Sequence, residues 1–513
     1  MSTPTTTLER PGVLYLSVGI IATCGIIYEL IIGAVSSYVL GDSVLQFSIT
    51  IGLFMSALGI GSWLSQLFKR HLFAVFLSAE LLIGLVGGAS ALALFWGYAV
   101  AAELYPVLQY GLTLTIGTLV GLEIPILMRL LEGRHELRYN AAYVLSLDYI
   151  GGLVGSLAFP LLLLPYLGLI RAALLVGLLN SLVVVIGLWR YAPHFLRTRA
   201  VFGVATALSL AGLALGIAQA RPMESYLEQR LYRDRIIATE QTPYQHLTLT
   251  QAQGDLRLFI NGNLQYSSLD EYRYHEALIH VPIARMGAIP RRVLLLGAGD
   301  GLAARELLKY PQVTHVDLVD LDPAIIALHR THPELVALNA GSLNDARVKV
   351  HTVDALKFLE GTRETYDFIV MDLPDPNSES LIKLYTREFY AMAGRKLRQS
   401  GAMVVQASSP YFARQAYWCI AKTVAAADMA TQQYHLDVPS FGDWGFVIGS
   451  PRVLPNPPFQ ATVPTRYLTP ELAPGLFRFG RDEDAAGAGA VEINTLFNPV
   501  LLRYYQKGWG RDR

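Results

Sequence analysis

The sequence predicts two kinds of structure in one chain. The first is an N-terminal α-helical membrane bundle of about seven transmembrane helices. The second is an α/β Rossmann-like doubly wound domain preceded by a small antiparallel β-sheet. Three observations carry this expectation. Apolar residues crowd the chain as far as Ala220, in runs of about 20 or more, long enough to cross a bilayer as helices. Leu294-Leu-Leu-Gly-Ala-Gly-Asp-Gly301 is an apolar strand running into a glycine-rich turn, and Leu318-Val-Asp-Leu-Asp-Pro323 is a strand ending in acids about 20 residues on. Phe368-Ile-Val-Met-Asp372 then ends a later strand in a carboxylate, with Asp375 close behind, where open α/β sheets carry their sites.

Composition agrees with a divided chain. Of 513 residues, 52% are hydrophobic and only 16% charged, with a mean hydropathy of +0.36. Net charge is +0, so no global field argues for nucleic acid as a partner. The 2 cysteines, Cys24 and Cys419, lie in different halves and exclude a disulfide framework. Met1 to Arg10 is polar and leads into an apolar span without a cleavage site, which reads as a retained first helix.

Membrane helices are expected near 13–34, 45–67, 72–97, 105–130, 143–165, 168–190 and 201–219, within a domain of residues 1–220. Small residues inside them, as in Gly59-Ile-Gly-Ser62 and Gly151-Gly-Leu-Val-Gly-Ser156, allow close helix approach. Glu29 with Glu123, and Gly61-Ser62 with Gly155-Ser156, share one spacing along the chain, as a repeat of three helices would give; chance likeness among apolar segments is the competing reading. Glu29, Glu80, Glu123, Asp148 and Arg171 are ionisable groups at or near membrane depth. Polar pairing between helices and a conduction or ligand site both account for them.

Arg221-Pro222 is expected to open a linker, with residues 221–290 holding it and a small hairpin domain. Gln245-His-Leu-Thr-Leu-Thr250 and Leu256-Arg-Leu-Phe-Ile260 alternate as strands about Gly254, and Asn261-Gly262 is a two-residue hairpin signal. A helix follows from about Glu271 to His280, stopped by Pro282. Strands and helices alternate over residues 291–450, the doubly wound part. Residues 451–513, Pro-rich and then Gly/Ala-rich, read as a peripheral tail with a short final helix.

The loop Gly297-Ala-Gly-Asp-Gly301 is expected to open a helix near Leu302, with Gly297, Gly299 and Gly301 letting a ligand approach the backbone. Asp300 puts a carboxylate where a pyrophosphate would otherwise sit, so an adenosyl sulfonium fits better than a dinucleotide. A plain helix cap is the alternative for Asp300. One of Asp320 and Asp322 is expected to hold ribose hydroxyls, and Asp322-Pro323 reads as a cap and first helical residue. Asp354, followed by Ala355, either accepts from an adenine amino group or caps a helix. Between Asp372 and Asp375, Leu373-Pro374 forces an extended turn, so both carboxylates line one edge of the pocket. An amine nucleophile must lose a proton, which one carboxylate accepts, while the other holds the rest of a polyamine.

Together these residues resemble the spermidine synthases, the polyamine aminopropyltransferases. The resemblance runs in order from Thr242-Pro-Tyr-Gln245 through Asn261-Gly-Asn-Leu-Gln265, Asp270-Glu-Tyr-Arg-Tyr-His-Glu276 and His280-Val-Pro282 to the glycine loop, Val319-Asp-Leu-Asp322 and Asp372-Leu-Pro-Asp-Pro376. The apolar first part is similar to the membrane-attached, multi-spanning members. The resemblance implies transfer of an aminopropyl group from decarboxylated S-adenosylmethionine, as co-substrate and with no cofactor or metal, to putrescine or a related amine. It implies Asp372 as proton acceptor, and Gln245, Asp320, Asp354 and Ala355 at the nucleoside. It further implies His275 and Asp300 on the aminopropyl and amine channel, with Asp375 and Tyr274 helping to bind the amine. The departures are Asn377-Ser-Glu379 after the catalytic loop, Ala298 for a glycine, and Phe441 where a tyrosine often helps hold the amine.

Two other functions fit the same residues. One is an S-adenosylmethionine-dependent methyltransferase, which Asp300 and the Asp372/Asp375 pair argue against. The other is a polyamine transporter with a fused nucleoside-binding domain. Expected partners are a diamine or polyamine and a lipid bilayer, with homo-oligomerisation open. Arg10, Lys69, Arg70, Arg129, Arg134, Arg138, Arg190, Arg197 and Arg199 fall at the N-terminus or in alternate loops. The positive-inside rule then puts the N-terminus in the cytoplasm and, after seven spans, the α/β domain outside. A cytosolic donor argues for a multi-pass protein of the cell membrane with that domain inside.

Overall fold

The computed structural model describes residues 12–40, 43–132, 137–191, 199–460 and 462–510. Arg10, Arg134 and Arg197 of the charge pattern, and the polar start, lie outside the described residues. The chain forms two compact units, Met1–Arg233 and Asp234–Arg513.

The first unit is helical: α1 (Gly12–Leu40), α2 (Ser43–Leu64), α3 (Leu72–Ala101), α4 (Tyr105–Leu130), α5 (Leu137–Ala158), α6 (Leu164–Arg190) and α7 (Arg199–Leu231). Among the described residues, 5 helical stretches rather than seven are long and apolar enough to cross a membrane: Leu14–Leu40, Val44–Leu67, Leu72–Leu130, Arg138–Arg190 and Arg199–Leu231. The difference arises because two expected pairs of helices run together without a loop. α3 meets α4 through the 3-10 turn Ala102–Leu104, and α5 meets α6 through a π-helical turn, Phe159–Leu163. A break persists inside each long stretch, at Ala101 (φ −151°, ψ 72°) and at Gly168 (φ 71°, ψ −179°). α7 also departs from expectation: no linker opens at Arg221-Pro222, and the helix continues to Leu231. Pro222 removes one hydrogen bond, but the Met, Glu, Leu, Gln and Arg residues beyond it are good helix formers.

α1 packs on α5, α2 on α4 and α3 on α6. Glycines permit the first two contacts: a Cβ on Gly155 would lie 2.7 Å from the Thr23 carbonyl oxygen of α1, and one on Gly61 only 2.0 Å from that of Thr118 on α4. This crosswise pairing is what a two-fold repeat of three helices would make.

In the second unit β1 (Arg235–Gln241), β2 (His246–Ala252), β3 (Asp255–Ile260) and β4 (Asn263–Ser267) form an antiparallel sheet in that order. Asn261 and Gly262 both take positive φ, 50° and 78°, as a tight hairpin turn requires. α8 (Glu271–Met286) does not stop before Pro282 but continues to a left-handed cap at Gly287. Val281, Pro282 and Ile283 are all buried there, and that burial outweighs the one lost hydrogen bond.

The larger sheet has 7 strands in the order β10-β11-β9-β8-β5-β6-β7. β5 (Arg292–Gly297), β6 (His315–Asp320), β7 (Val348–Thr352), β8 (Tyr366–Asp372) and β9 (Leu397–Gln406) are parallel. β10 (Ala430–Val438) and β11 (Gly442–Ser450) close one edge as an antiparallel hairpin. Leu294, Leu295, Leu296 and Phe368 to Met371 are fully buried, as expected for central strands covered on both faces. The chain moves outward from β5 through β6 to β7, then returns to lay β8 beside β5. Strand order therefore reverses between β5 and β8, the place where such sheets bind ligands.

The described residues of 451–513 do not form the expected peripheral tail but pack into the second unit. The backbone N–H groups of Arg466, Tyr467 and Leu468 all donate to the buried carboxylate of Glu276. Asn494 is fully buried and donates to the Tyr385 carbonyl at 3.0 Å. The last helix packs on the helix Arg414–Ala425. Pro- and Gly-rich composition hides such backbone bonding from a reading of side chains alone.

Candidate active site

Gly297 and Asp372 are register partners at the C-terminal ends of β5 and β8. Gly297 has φ 82°, and a Cβ there would lie 2.0 Å from the Asp372 carbonyl oxygen, so only glycine fits. Gly299 follows, and its N–H donates to Asp320 Oδ2 at 3.1 Å. Gly301 (φ 78°) is the N-cap of α9 (Leu302–Leu308), and Asp300, one residue ahead of it, accepts from the Leu302 N–H through Oδ1 at 2.9 Å, an Asx turn rather than a helix cap. That turn leaves Asp300 in the site: its charge acts on Asp320, His275 and Asp372.

Asp372 carries the densest chemistry. Its Oδ1 accepts from the Tyr274 hydroxyl at 2.6 Å. The carboxyl is partly accessible, yet enclosed enough that burial pushes its pKa up to about 6; nearby His275 opposes the rise and Asp300 adds to it. His275 is buried beside Tyr274 on α8, and its Nδ1 lies 2.8 Å from Glu271 Oε2, one helical turn back. Burial pulls the imidazole pKa down, but the bond and charge of Glu271 outweigh it and hold the net value at about 9. Glu271 is itself gripped by Arg305 on α9, at 2.7 and 2.9 Å. Glu271 thus favours the charged form of His275, and that charge acts on Asp372.

The other side of the site is built from β6 and its neighbours. Asp320 Oδ1 accepts from the Asp322 N–H at 3.0 Å, and burial raises the Asp320 carboxyl to about 6. Asp322 caps α10 (Pro323–Thr331) through the Ala324 N–H, as expected, and its other oxygen accepts from the Thr242 hydroxyl at 2.8 Å. Thr242 in turn holds the turn containing Gln245, through its N–H on the Gln245 carbonyl at 2.9 Å. Asp354 caps α11 (Ala355–Gly361): its Oδ1 accepts from the Leu356 and Lys357 N–H groups, and its Oδ2 from Lys383 at 3.1 Å. Asp354 and Ala355 still lie at the same sheet edge as Asp320, since the Val353 N–H donates to the Asp320 carbonyl at 3.1 Å. Gly297, Gly299, Asp300, Asp320, Asp354 and Asp372 thus lie along the C-terminal edge of the parallel strands, and Tyr274 reaches that edge through Asp372.

Asp375 brings in residues that the sequence did not suggest. Burial pushes its carboxyl up to about 6, against hydrogen bonds from Tyr505, Gln406 and Ser408 that pull it down. Tyr505 donates to Oδ2 at 2.9 Å, Gln406 to Oδ1 at 3.2 Å and Ser408 to Oδ2 at 3.4 Å. Tyr505 and Trp509 come from α13 (Leu501–Trp509), numbered after α12 (Arg414–Ala425), and Trp509 Nε1 donates to Ser408 Oγ at 3.3 Å. Phe441 lies 6.3 Å from the Tyr274 ring and 5.3 Å from Trp444, which is 6.3 Å from Trp509. A wall of rings thus runs from Asp372 towards Asp375. Gln406 ends a parallel strand and was findable by that rule; nothing in the sequence marks Tyr505.

Among the described residues, one group has the geometry of a metal site: His435, Asp443 and Glu483. Both His435 nitrogens are already engaged, Nδ1 with Asp443 Oδ1 and Nε2 with the Arg478 carbonyl, each at 2.7 Å. The trio therefore reads as a clamp between the β10–β11 hairpin and residues 478–483.

The family profile for the spermine/spermidine synthase domain matches residues 271–456. A polyamine aminopropyltransferase of Oceanobacillus iheyensis is 44% identical over 508 residues, 98% of this chain and 98% of its own. Polyamine aminopropyltransferase 2 of Ralstonia nicotianae is 44% identical over 97% of this chain and 98% of its own. The Mycobacterium tuberculosis polyamine aminopropyltransferase is 38% identical over 97% and 96%. A crystallised spermidine synthase in complex with the transition-state analogue AdoDATO aligns with 48% of this chain and 86% of its own, at a TM-score of 0.45 and 23% identity. Curated relatives 38–44% identical over nearly the whole of both chains place this chain in the spermine/spermidine synthase family of polyamine aminopropyltransferases.

Proposed function

We propose that the second unit transfers the aminopropyl group of decarboxylated S-adenosylmethionine to putrescine or a related amine, giving spermidine and methylthioadenosine. The observation that carries this reading is the Asp372 carboxylate, held by Tyr274 beside His275 and next to the glycine loop. Gln245, Asp320, Asp354 and Ala355 hold the nucleoside, and Gly297, Gly299 and Gly301 let it approach the backbone. Asp300 attracts the donor ammonium and repels the carboxylate of ordinary S-adenosylmethionine. The amine nitrogen attacks the carbon beside the sulfonium, the carbon–sulfur bond breaks, and methylthioadenosine leaves neutral. The proton of the attacking nitrogen passes to Asp372, and much of the acceleration comes from positioning. Asp375 takes the far ammonium by charge-assisted bonds. Calorimetry with decarboxylated and ordinary S-adenosylmethionine tests the donor assignment. The decarboxylated donor is expected to bind at least about tenfold more tightly; equal affinity would contradict it.

We further infer that the first unit is a multi-pass part of the cell membrane, with the enzyme on the cytosolic side where such a donor is made. The stretches Leu72–Leu130 and Arg138–Arg190 have 59 and 53 residues. As helix they would be roughly 80–90 Å long, against a hydrocarbon core of about 30 Å. Each therefore crosses twice, with the turns at Ala101 and Gly168, giving seven crossings. The charges at Lys69, Arg70, Arg129, Arg138, Arg190 and Arg199 oppose the cytosolic placement, so it rests on the substrate. Phosphatase and fluorescent fusions after Arg513 decide between them: an active phosphatase with a dark fluorescent fusion would overturn the cytosolic placement.

A further inference from the structure

A second group of titratable side chains lies within the first unit. Glycine contacts build it. A Cβ on Gly177 of α6 would lie 2.5 Å from the Gly84 carbonyl oxygen of α3, so these helices touch backbone to backbone. That approach sets Asn180 against Glu80: Asn180 Nδ2 donates to Glu80 Oε2 at 2.8 Å and to its carbonyl at 2.9 Å. Gly87 of α3 leaves room for the ring of Tyr28 from α1, which a Cβ would approach to 2.5 Å. Glu123 of α4 completes the group. Its carboxyl lies close enough to Glu80 for the two charges to act on each other, and both act on Tyr28. Tyr28, Glu80 and Asn180 are 0% exposed and Glu123 is 1% exposed.

The unmet groups are nearly all acceptors. Glu80 Oε1, both oxygens of Glu123, Asn180 Oδ1 and the Tyr28 hydroxyl have no hydrogen-bond partner. Pro125, just beyond Glu123, also leaves the Gly121 carbonyl without its helical donor. Among the described residues no lysine or arginine pairs with either carboxylate. Arg171 is engaged with Glu224 at 3.4 Å, and Arg129 with the Ser65 and Phe68 carbonyls at 3.0 and 2.6 Å. Two carboxyls buried in a membrane helix bundle are costly unless something neutralises them. Acceptors alone are completed by a ligand that only donates, and a primary ammonium carries three donors and no acceptor. Tyr28 and Glu80 come from the first three helices, Glu123 and Asn180 from the second three. Transporters built from inverted repeats place their substrate sites at such an interface.

We propose that Tyr28, Glu80, Glu123 and Asn180 form a binding site for a primary alkylammonium group, so that the membrane unit carries an amine rather than only anchoring the chain. The choice of an amine over another cation rests on the reading of the second unit as an enzyme that consumes amines. Full-length protein in liposomes is assayed with radiolabelled putrescine, and the same preparation is assayed for methylthioadenosine formation. Saturable uptake is expected in the wild type. Glu80→Gln and Glu123→Gln, which keep side-chain shape, each lower uptake by about tenfold or more, and exposed Glu103→Gln leaves it intact. Tyr28→Phe keeps the ring on Gly87 and weakens half-saturation by about threefold, which covers the case in which a glutamine variant fails to fold. Absence of uptake by the wild type, uptake unchanged in both glutamine variants, or sodium or proton flux without amine would each overturn the proposal. A wild type that makes methylthioadenosine yet takes up no putrescine overturns this inference alone. One that takes up putrescine and makes no methylthioadenosine supports the site and overturns the enzyme reading.

Discussion

The Tyr274 hydroxyl donates to Asp372 Oδ1 at 2.6 Å, joining the helix after the small sheet to the end of the central strand β8. The bond does two things. It fixes the orientation of one carboxylate oxygen, and it stabilises the ionised form against the burial that would keep it protonated. A carboxylate set near 6 is a better proton acceptor at neutral pH than an ordinary one, yet remains largely ionised there.

The pH dependence follows from that balance. Asp372 and Asp375 are both raised from 3.8 to about 6. The account needs both ionised, so kcat/KM should fall as pH drops through about 6, with an apparent value belonging to the site as a whole. Stability should move the other way. A carboxyl whose pKa is raised in the folded state binds more protons there, so its contribution declines as pH rises from about 4 to about 6. Initial rates and unfolding curves of wild type and Asp372→Asn across pH 4–8 check both trends. A flat rate profile through pH 6 would contradict the assignment.

His275 gives the opposite sign. Its imidazole is raised from 6.5 to about 9, chiefly because Glu271 outweighs burial. The stability this contributes is fully present below pH 6.5 and is lost as pH rises towards 9. Glu271→Gln should lower the His275 titration point by at least about one unit and reduce turnover with it. Resonances of His275 followed by nuclear magnetic resonance report the shift directly, and an unmoved titration in the variant would remove Glu271 from this role.

Tyr505 holds Asp375, the carboxylate proposed to take the far ammonium of the amine. Removing its hydroxyl leaves Asp375 short of one hydrogen bond, worth about 1.5–3 kcal/mol when an ion is involved. Tyr505→Phe should therefore raise the KM for the amine by about tenfold or more while changing the donor KM little. Equal effects on both substrates would mean that the last helix only supports the fold.

The ordered α/β pattern was legible because its causes are local. Buried parallel strands read as unbroken apolar runs, and Gly297 is required by one carbonyl 2.0 Å from where its Cβ would lie. Asp372 was visible because a carboxylate at the end of an apolar strand has few structural reasons to be there. Tyr505 was not visible, because its partner Asp375 lies 130 residues away and nothing near it in sequence reports the contact. The tail failed for a related reason: its anchoring is carried by backbone N–H groups on Glu276, which any sequence supplies. The sequence did not show that two pairs of helices join into single long stretches, because they meet through a 3-10 or π-helical turn instead of a polar loop.

The central claim is that Asp372 accepts the proton in aminopropyl transfer. The most direct measurement is methylthioadenosine formed from decarboxylated S-adenosylmethionine and putrescine by wild type and by Asp372→Asn, under saturating donor. Steady formation is expected from the wild type and a loss of about 100-fold or more in the variant, with methylthioadenosine still bound by it. Wild-type turnover in Asp372→Asn would contradict the account.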